Sequence, residues 1–258
     1  AKNRYFLQAQ GLQSDGYRDH AYGETRGINA LTHHDINDRL ELSLLFNAHD
    51  APYLFNPSSL DRATAAADPR SARFFVVSQG ASKKVRQIQG GAALRYQHAG
   101  GATSKLVVYG LDRALKNPIP GQIIELDRSG GGLRVTHSST WRSLRYTGGV
   151  DGDWQSDQRD EFANGGLADE YIGSLDNASV FARIQYGAQL LDQRERVRSI
   201  GPFLALDIPL RPQWMLSLSG RYDHYRFEAV DHFTSDGDDS GTRSLGQFSP
   251  LIGLNYQP

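Results

Sequence analysis

Three carboxylates crowd one short stretch, Asp236-Gly-Asp-Asp-Ser-Gly241, and calcium draws its ligands from oxygen-rich loops of this kind. The stretch lacks the twelve-residue spacing and closing glutamate of an EF-hand, so it reads either as an ion-binding loop or as a solvated turn. His20, His33, His34, His98, His137, His224 and His232 are scattered along the chain. Adjacent residues of a strand point to opposite faces, so His33 and His34 would not chelate one ion together. Serine, histidine and aspartate are all present, but no Gly-x-Ser-x-Gly elbow occurs. A hydrolase would have to assemble its triad from several strands. There is no cysteine, which removes disulfides, thiolate zinc sites and cysteine nucleophiles.

Two further groups of residues could recognise rather than react. Tyr17, Arg18 and His20 combine a stacking ring, a permanent cation and a donor, a set that suits an anionic aromatic or catecholate ligand. Gly16 and Asp19 in the same stretch could equally make it a plain turn. Arg145, Asp151 and Asp153 share one parity of a strand, as do Arg221 and Asp223 on another. Charges repeated on one face of a strand suit a wet wall and would be poor inside a sandwich core.

Long alternating strands must position these residues. In residues 214–222, Trp214, Leu216, Leu218, Gly220 and Tyr222 alternate with Met215, Ser217, Ser219 and Arg221, a period of two that marks faces in different media. Residues 144–155 give the cleanest alternation, with Leu144, Tyr146, Gly148, Val150, Gly152 and Trp154 on one face. Leu40, Leu42, Leu44 and Phe46 repeat it, as do Ile88, Ala92, Leu94 and Tyr96, and Phe248, Ile252, Leu254 and Tyr256. Strands of about 12 to 15 residues are expected, against about 5 to 6 in ordinary globular domains. Gly130-Gly-Gly132 is expected to mark a bulge or break. Residues 178–191 are too apolar for a simple loop.

About ten strands result. Short connections (residues 35–38, 98–103, 140–143 and 209–213) alternate with long or polar ones (14–22, 49–83, 115–120, 156–192 and 228–243). Sorting short turns to one end and long loops to the other is how outer-membrane barrels are built; a Greek-key sandwich has no reason to do so. Composition agrees. Of 258 residues 39% are hydrophobic and mean hydropathy is -0.51, too polar for helical spans, whereas a barrel needs only every second residue apolar. The 28 Lys and Arg nearly cancel the 29 Asp and Glu, leaving no basic stripe for nucleic acid.

Ser14-Asp-Gly-Tyr-Arg-Asp-His20, Phe46-Asn47 with Asp50, Asp112-Arg113, Gly149-Val-Asp151, Gln193-Arg-Glu195, Gly220-Arg-Tyr-Asp223 and Ser249-Pro-Leu-Ile-Gly-Leu-Asn-Tyr256, in that order, resemble the barrel of a TonB-dependent outer-membrane transporter. Gly16-Tyr-Arg-Asp-His20, with Asp231-His232 and Gly237-Asp-Asp-Ser-Gly241, is most similar to the branch that includes the pyrroloquinoline quinone receptor.

The resemblance implies an all-β, antiparallel up-and-down transmembrane β-barrel with short periplasmic turns and long extracellular loops, in the outer membrane of a Gram-negative bacterium. It implies uptake of a ferric siderophore or quinone cofactor, energised through TonB, with no catalysis and no resident cofactor. The partners implied are the small-molecule ligand, a plug domain, the TonB complex, and the lipid bilayer with its lipopolysaccharide. Under it, Tyr17, Arg18 and His20 would meet the ligand, while Arg145, Asp151, Asp153, Arg221 and Asp223 would line the lumen and hold the plug.

The family barrel has about 22 strands and carries a plug, so residues 1–258 are expected to be its first half, without plug or coupling box, ending at Gln257-Pro258. Ten strands leave two edges that cannot lie bare in lipid. The segment would therefore belong to a longer protein, close into a smaller barrel, or be soluble by design. Two other functional classes compete: an outer-membrane barrel lipase or protease, and a soluble all-β binding module, which exposed Leu40, Leu42, Leu44 and Phe46 oppose.

Overall fold

The computed structural model describes residues 2–256 except 174, 175 and 178. The expected chain end, Gln257-Pro258, and the first residue of the apolar segment 178–191 lie outside the described residues. The strands are β1 (Asn3–Ser14), β2 (Gly23–Asn37), β3 (Leu40–Phe55), β4 (Ser82–Gln97), β5 (Thr103–Ile119), β6 (Gln122–Trp141), β7 (Leu144–Leu167), β8 (Ile184–Arg211), β9 (Trp214–Asp231) and β10 (Gly241–Tyr256). They form one sheet in sequence order, and each is antiparallel to the next. The first and last strands pair with β2 and β9 alone among the described residues, so the sheet does not close into a smaller barrel. Both edge strands are exposed along almost their whole length.

Register carries the alternation across the sheet. Tyr5 faces Thr32, Thr32 faces Leu44, Leu44 faces Ala92, Ala92 faces Val108, Val108 faces Leu133, Leu133 faces Gly152 and Gly152 faces Ile200. Side chains directly opposite one another share a face, so the apolar parities join into one continuous band. The band keeps to the ten or so residues nearest the short turns, close to the 9–11 that a tilted strand needs to cross a bilayer core. Aromatic residues border it at the short-turn end, where Trp214 packs on Tyr256 with ring centroids 4.7 Å apart.

Several expected boundaries move. The strands run to 28 residues in β8, about 90 Å of chain at 3.3 Å per residue. Residues 156–167 and 184–196 extend them well past the apolar band, into a zone that mixes polar side chains with the apolar Phe162, Leu167, Ile184, Leu190 and Leu191. With water on both sides no period of two is required there, and the alternation that marks a strand disappears. The expected long loops therefore shrink. Connection 56–81 keeps helices α1 (Arg62–Ala67) and α2 (Phe74–Ser78), and connection 168–183 keeps a 3-10 turn and α3 (Val180–Arg183).

Residues 115–120 are no long connection. They finish β5 and lead into a tight turn at Pro120-Gly121, with Gly121 at φ +87°. Proline followed by a glycine at positive φ is what a type II turn requires. Pro118 is tolerated in the strand because it lies beyond Lys84–Lys116, the last pair between β4 and β5, where a strand edge can spare an N–H.

The glycines 130–132 neither bulge nor break β6, whose register runs through them unshifted on both sides. They serve close approach instead. A Cβ on Gly132 would stand 2.5 Å from Asp153 Oδ1 and 2.7 Å from the Tyr109 hydroxyl. The small apolar core that exists sits at the long-loop end, where Ile123, Leu167, Val180 and Ile184 pack with Phe55, Phe162 and Phe181.

Candidate functional site: the charged face and the interlocked rim

Opposite the apolar band, the sheet carries a column of carboxylates on β7 whose arginine partners come from β6, from β9 two strands away and from β7 itself. Asp151 accepts from Arg134 Nε of β6 and, at 2.7 Å, from Arg221 Nη1 of β9. Arg221 turns its Nε to Asp223 Oδ1 at 2.8 Å and covers the Phe203 ring at 5.9 Å. One register step along, Asp153 accepts from the Tyr109 hydroxyl and from Ser199 Oγ at 3.2 Å. Asp157 then takes both arms of Arg128, Nε at 2.9 Å and Nη2 at 2.6 Å, and Gln155 Nε2 at 3.0 Å. Farther out, Arg159 bridges Glu161 and Glu195. The Asp157 and Asp151 side chains are well covered, at 1% and 10% exposure, whereas Asp153 is exposed. Bidentate, charge-assisted contacts of this kind fix side-chain direction.

Of the expected lumen set, the structure joins Asp151, Arg221 and Asp223 in one network and sets Asp153 beside it. Arg145 stands apart near the short turns, 3.7 Å from Asp207. Sequence reading missed Arg134, Arg128, Asp157 and Tyr109. The parity of β6 that would have exposed Arg128 and Arg134 is interrupted by two side-chain-free residues, Gly130 and Gly132.

At the opposite end from the short turns, separate connections lock around residues 79–81. His20 donates Nε2–H to the Ala81 carbonyl at 2.8 Å and stacks on Phe55, with centroids 4.8 Å apart. The backbone N–H of Asn56 reaches the same carbonyl at 3.1 Å. Asn164 Nδ2 donates to the carbonyls of Gln79 and Ile119 at 2.8 and 3.0 Å, and Gly121 N–H donates to Gln79 Oε1 at 3.2 Å. Arg18 directs its guanidinium at the carbonyls of Pro57, Ser58 and Ser71. Its donors thus fasten the 15–22 connection to the 56–81 connection, while Tyr17 lies exposed with Arg70 over its ring. Burial pushes the His20 imidazole below its ordinary pKa, against the opposing effect of the Ala81 hydrogen bond.

Beside this lock lies a cavity of about 420 Å³, lined by Asp19, His20, Phe55, Ser71, Tyr171 and Asn177 among others. Of the three expected ligand residues, His20 lines it.

The remaining candidates have local partners. Asp238 accepts from Ser240 N–H, and Asp231, at the end of β9, accepts from Phe233 and Asp239 and donates its N–H to Ser240 Oγ, so local hydrogen bonds tie the 236–241 stretch to the end of β9. Hydrogen bonds from Ser240, from its side chain first and then its N–H, hold the Asp238 carboxyl below the usual carboxylate range. His33 contacts Ser43 and Asp35, whereas His34 contacts Asn3 and Thr32.

Comparison with known proteins agrees with this geometry. Residues 3–258 match the model of the TonB dependent receptor-like β-barrel family. The chain is similar to the ferric citrate transporter FecA in its unliganded form, at 14% identity and a TM-score of 0.71, over 98% of this chain and 36% of that one. It is similar to FpvA of P. aeruginosa, solved with heterologous pyoverdines, at 12% identity and a TM-score of 0.69, over 100% of this chain and 36% of that one. It is similar to the ferric yersiniabactin uptake receptor FyuA of Yersinia pestis, at 10% identity and a TM-score of 0.68, over 98% of this chain and 39% of that one. The chain thus spans well under half the length of the solved proteins it matches.

Proposed function

Because the chain belongs to the TonB-dependent receptor β-barrel family, whose members are transport receptors of the bacterial outer membrane, we propose that it forms part of the wall of a receptor for a scarce ligand. The ligand is a ferric siderophore or a quinone cofactor, and uptake is energised through TonB. The single observation that carries this reading is the pairing of faces across ten strands. A continuous apolar band suits lipid on one side, and a column of clamped carboxylates suits a wet interior on the other.

In this reading Arg145, Asp151, Asp153, Arg221 and Asp223 offer fixed charges to a plug seated inside the barrel. Because Asp151 and Asp223 are already held by Arg221, plug contacts form and break without the wall itself rearranging. Tyr17 and His20, at the long-loop end, are the ligand-facing members of the first connection, and Arg18 positions them by fastening that connection down. No bond is made or broken in transport. Residues 1–258 are then a barrel segment whose exposed edge strands, β1 and β10, pair with strands of a longer chain.

The reading is tested on outer membranes extracted in mild detergent, comparing unheated and boiled samples with an antibody to this segment. A heat-modifiable species far above 28.6 kDa supports a receptor assembled from more than this segment. Ligand-dependent growth under iron or cofactor limitation then separates the two ligand classes. A species near 28.6 kDa in the soluble fraction overturns the proposal.

A further inference from the structure

Val108 belongs to the apolar band, so Arg113, at the opposite parity of β5, faces the interior. Register sets it between Gln87 of β4 and Arg128 of β6. Among the described residues, no interior-facing position of β4, β5 or β6 holds an aspartate or glutamate. The acids farther along the same row are taken: Asp157 of β7 holds Arg128 with both oxygens, and Glu195 of β8 lies 3.7 Å from Arg159. Arg113 has neither a hydrogen bond nor an ion pair among the described residues, and its Nε is closed off from solvent without a partner. Arginine stays charged at any physiological pH, and a shielded donor left unmade costs free energy. The wall therefore keeps a cation whose partner comes from elsewhere.

Its surroundings on β3 and β4 are neutral and hydrogen-bonding. Gln87 and Gln89 share the interior face of β4, and Gln87 Nε2 donates to Gln89 Oε1 at 3.2 Å. Among the described residues, that leaves the Gln87 carbonyl oxygen and the Gln89 amide nitrogen unused. His49 and Asn47 of β3 stand directly opposite these two glutamines. Arg113 also lies at the height of the outward-facing Asp50–Arg86 pair, where the apolar band has ended on the long-loop side.

We propose that Arg113, with Gln87 and Gln89, recognises a carboxylate or comparable oxyanion on the ligand taken up, so that the ligand is an oxygen-rich anion. The guanidinium accepts such a group as a fork, and the free amide groups donate to and accept from oxygens beside it. Arginines that hold this wall together are closed by wall carboxylates, as Arg128 and Arg134 are. An unclosed arginine beside exchangeable amides suits a partner that arrives and leaves. The inference rests on the receptor reading above and names the chemistry of its ligand.

The test treats the intact receptor in mild detergent with phenylglyoxal, which modifies accessible guanidinium groups, and reads the peptides by mass spectrometry. Arg113 should react about tenfold faster than Arg128. Citrate, as the polycarboxylate probe, should slow Arg113 at least about threefold, whereas sodium chloride at equal ionic strength should not. Q87L/Q89L should remove most of that protection and leave Arg113 reactive. R113Q should lower ligand-dependent growth under iron or cofactor limitation about tenfold, with heat-modifiable migration unchanged. Should R113Q fail to fold, R113K keeps the charge without the fork and should lower growth at least about threefold. An Arg113 as slow to react as Arg128 means that a plug carboxylate already holds it, and overturns the proposal. Equal slowing by sodium chloride, or undiminished growth of a folded R113Q, overturns it too. Absence of the wild-type protein from the outer membrane would overturn the receptor reading, and this inference with it.

Discussion

Asp157→Asn isolates the energetics of the charged face. The side chain is almost wholly covered, at 1% exposure, and accepts three hydrogen bonds, two from Arg128 and one from Gln155. Asparagine keeps the shape but removes the charge, and turns one acceptor into an N–H that faces a guanidinium donor. Each hydrogen bond to a charged group is worth about 1.5–3 kcal/mol, and breaking a buried pair from one side costs about 3–5 kcal/mol. Arg128 is 32% exposed and recovers part of its hydration, which lowers the sum to about 2–3 kcal/mol. Urea unfolding of the intact protein in lipid vesicles, followed by tryptophan fluorescence, would read this as a lower midpoint at unchanged slope. The R128A/D157A double variant should show a coupling of about 1–3 kcal/mol. A loss below about 0.5 kcal/mol in Asp157→Asn would refute the reasoning that this clamp holds β6 to β7.

Gly132→Ala places a methyl against Asp153, the Gly152 carbonyl and Tyr109 and should cost about 1–3 kcal/mol in the same assay, part of it recovered by Tyr109→Phe. Leu44→Arg, in the middle of the apolar band, should cost about 2–4 kcal/mol in a bilayer, whereas Ser43→Arg on the opposite face should cost far less; equal costs would mean that the faces are assigned the wrong way round. His20 gives a pH signature. Its folded pKa is lowered from 6.5, so the unfolded connection takes up a proton first as pH falls, and stability is lost below about 6.5 until the lower folded value is reached. Hydrogen exchange at residues 15–22 and 79–82 should therefore accelerate, after correction for intrinsic rates, between pH 7.5 and 5.5, and His20→Gln should flatten that change.

The lipid-crossing part of each strand is legible because two media impose two chemistries on alternate residues, as at Trp214, Leu216 and Leu218 against Met215, Ser217 and Ser219. Outside the bilayer that constraint lapses. Residues 156–167 and 184–192 fall within an expected connection even though they continue β7 and β8, and only the apolar character of 178–191 argues against a simple loop there. Half of the charged site was visible for the same reason: Asp151, Asp153, Arg221 and Asp223 lie where parity is still enforced. Arg128 and Arg134 fell on either side of Gly130–Gly132, where the absence of side chains erased the pattern. Arg18 shows another limit of sequence reading. A cation in a polar connection looks free to meet a ligand, and only the fold reveals that Pro57, Ser58 and Ser71 supply three carbonyls for it.

The lock at residues 79–81 has a consequence for the mouth of the barrel. Segments around His20, Asn56, Gly121 and Asn164 meet at residues 79–81, with His20, Asn56 and Asn164 donating to backbone carbonyls there and Gly121 donating to the Gln79 side chain. Their conformational entropy is surrendered when the protein folds, so a ligand arriving at this side would meet a rim already ordered and would lose little affinity to ordering it. Tolerance to change should follow the same line. Tags or extra residues would be absorbed in the locally bonded 236–241 loop, while a single insertion between Gln79 and Ala81 would free several connections at once.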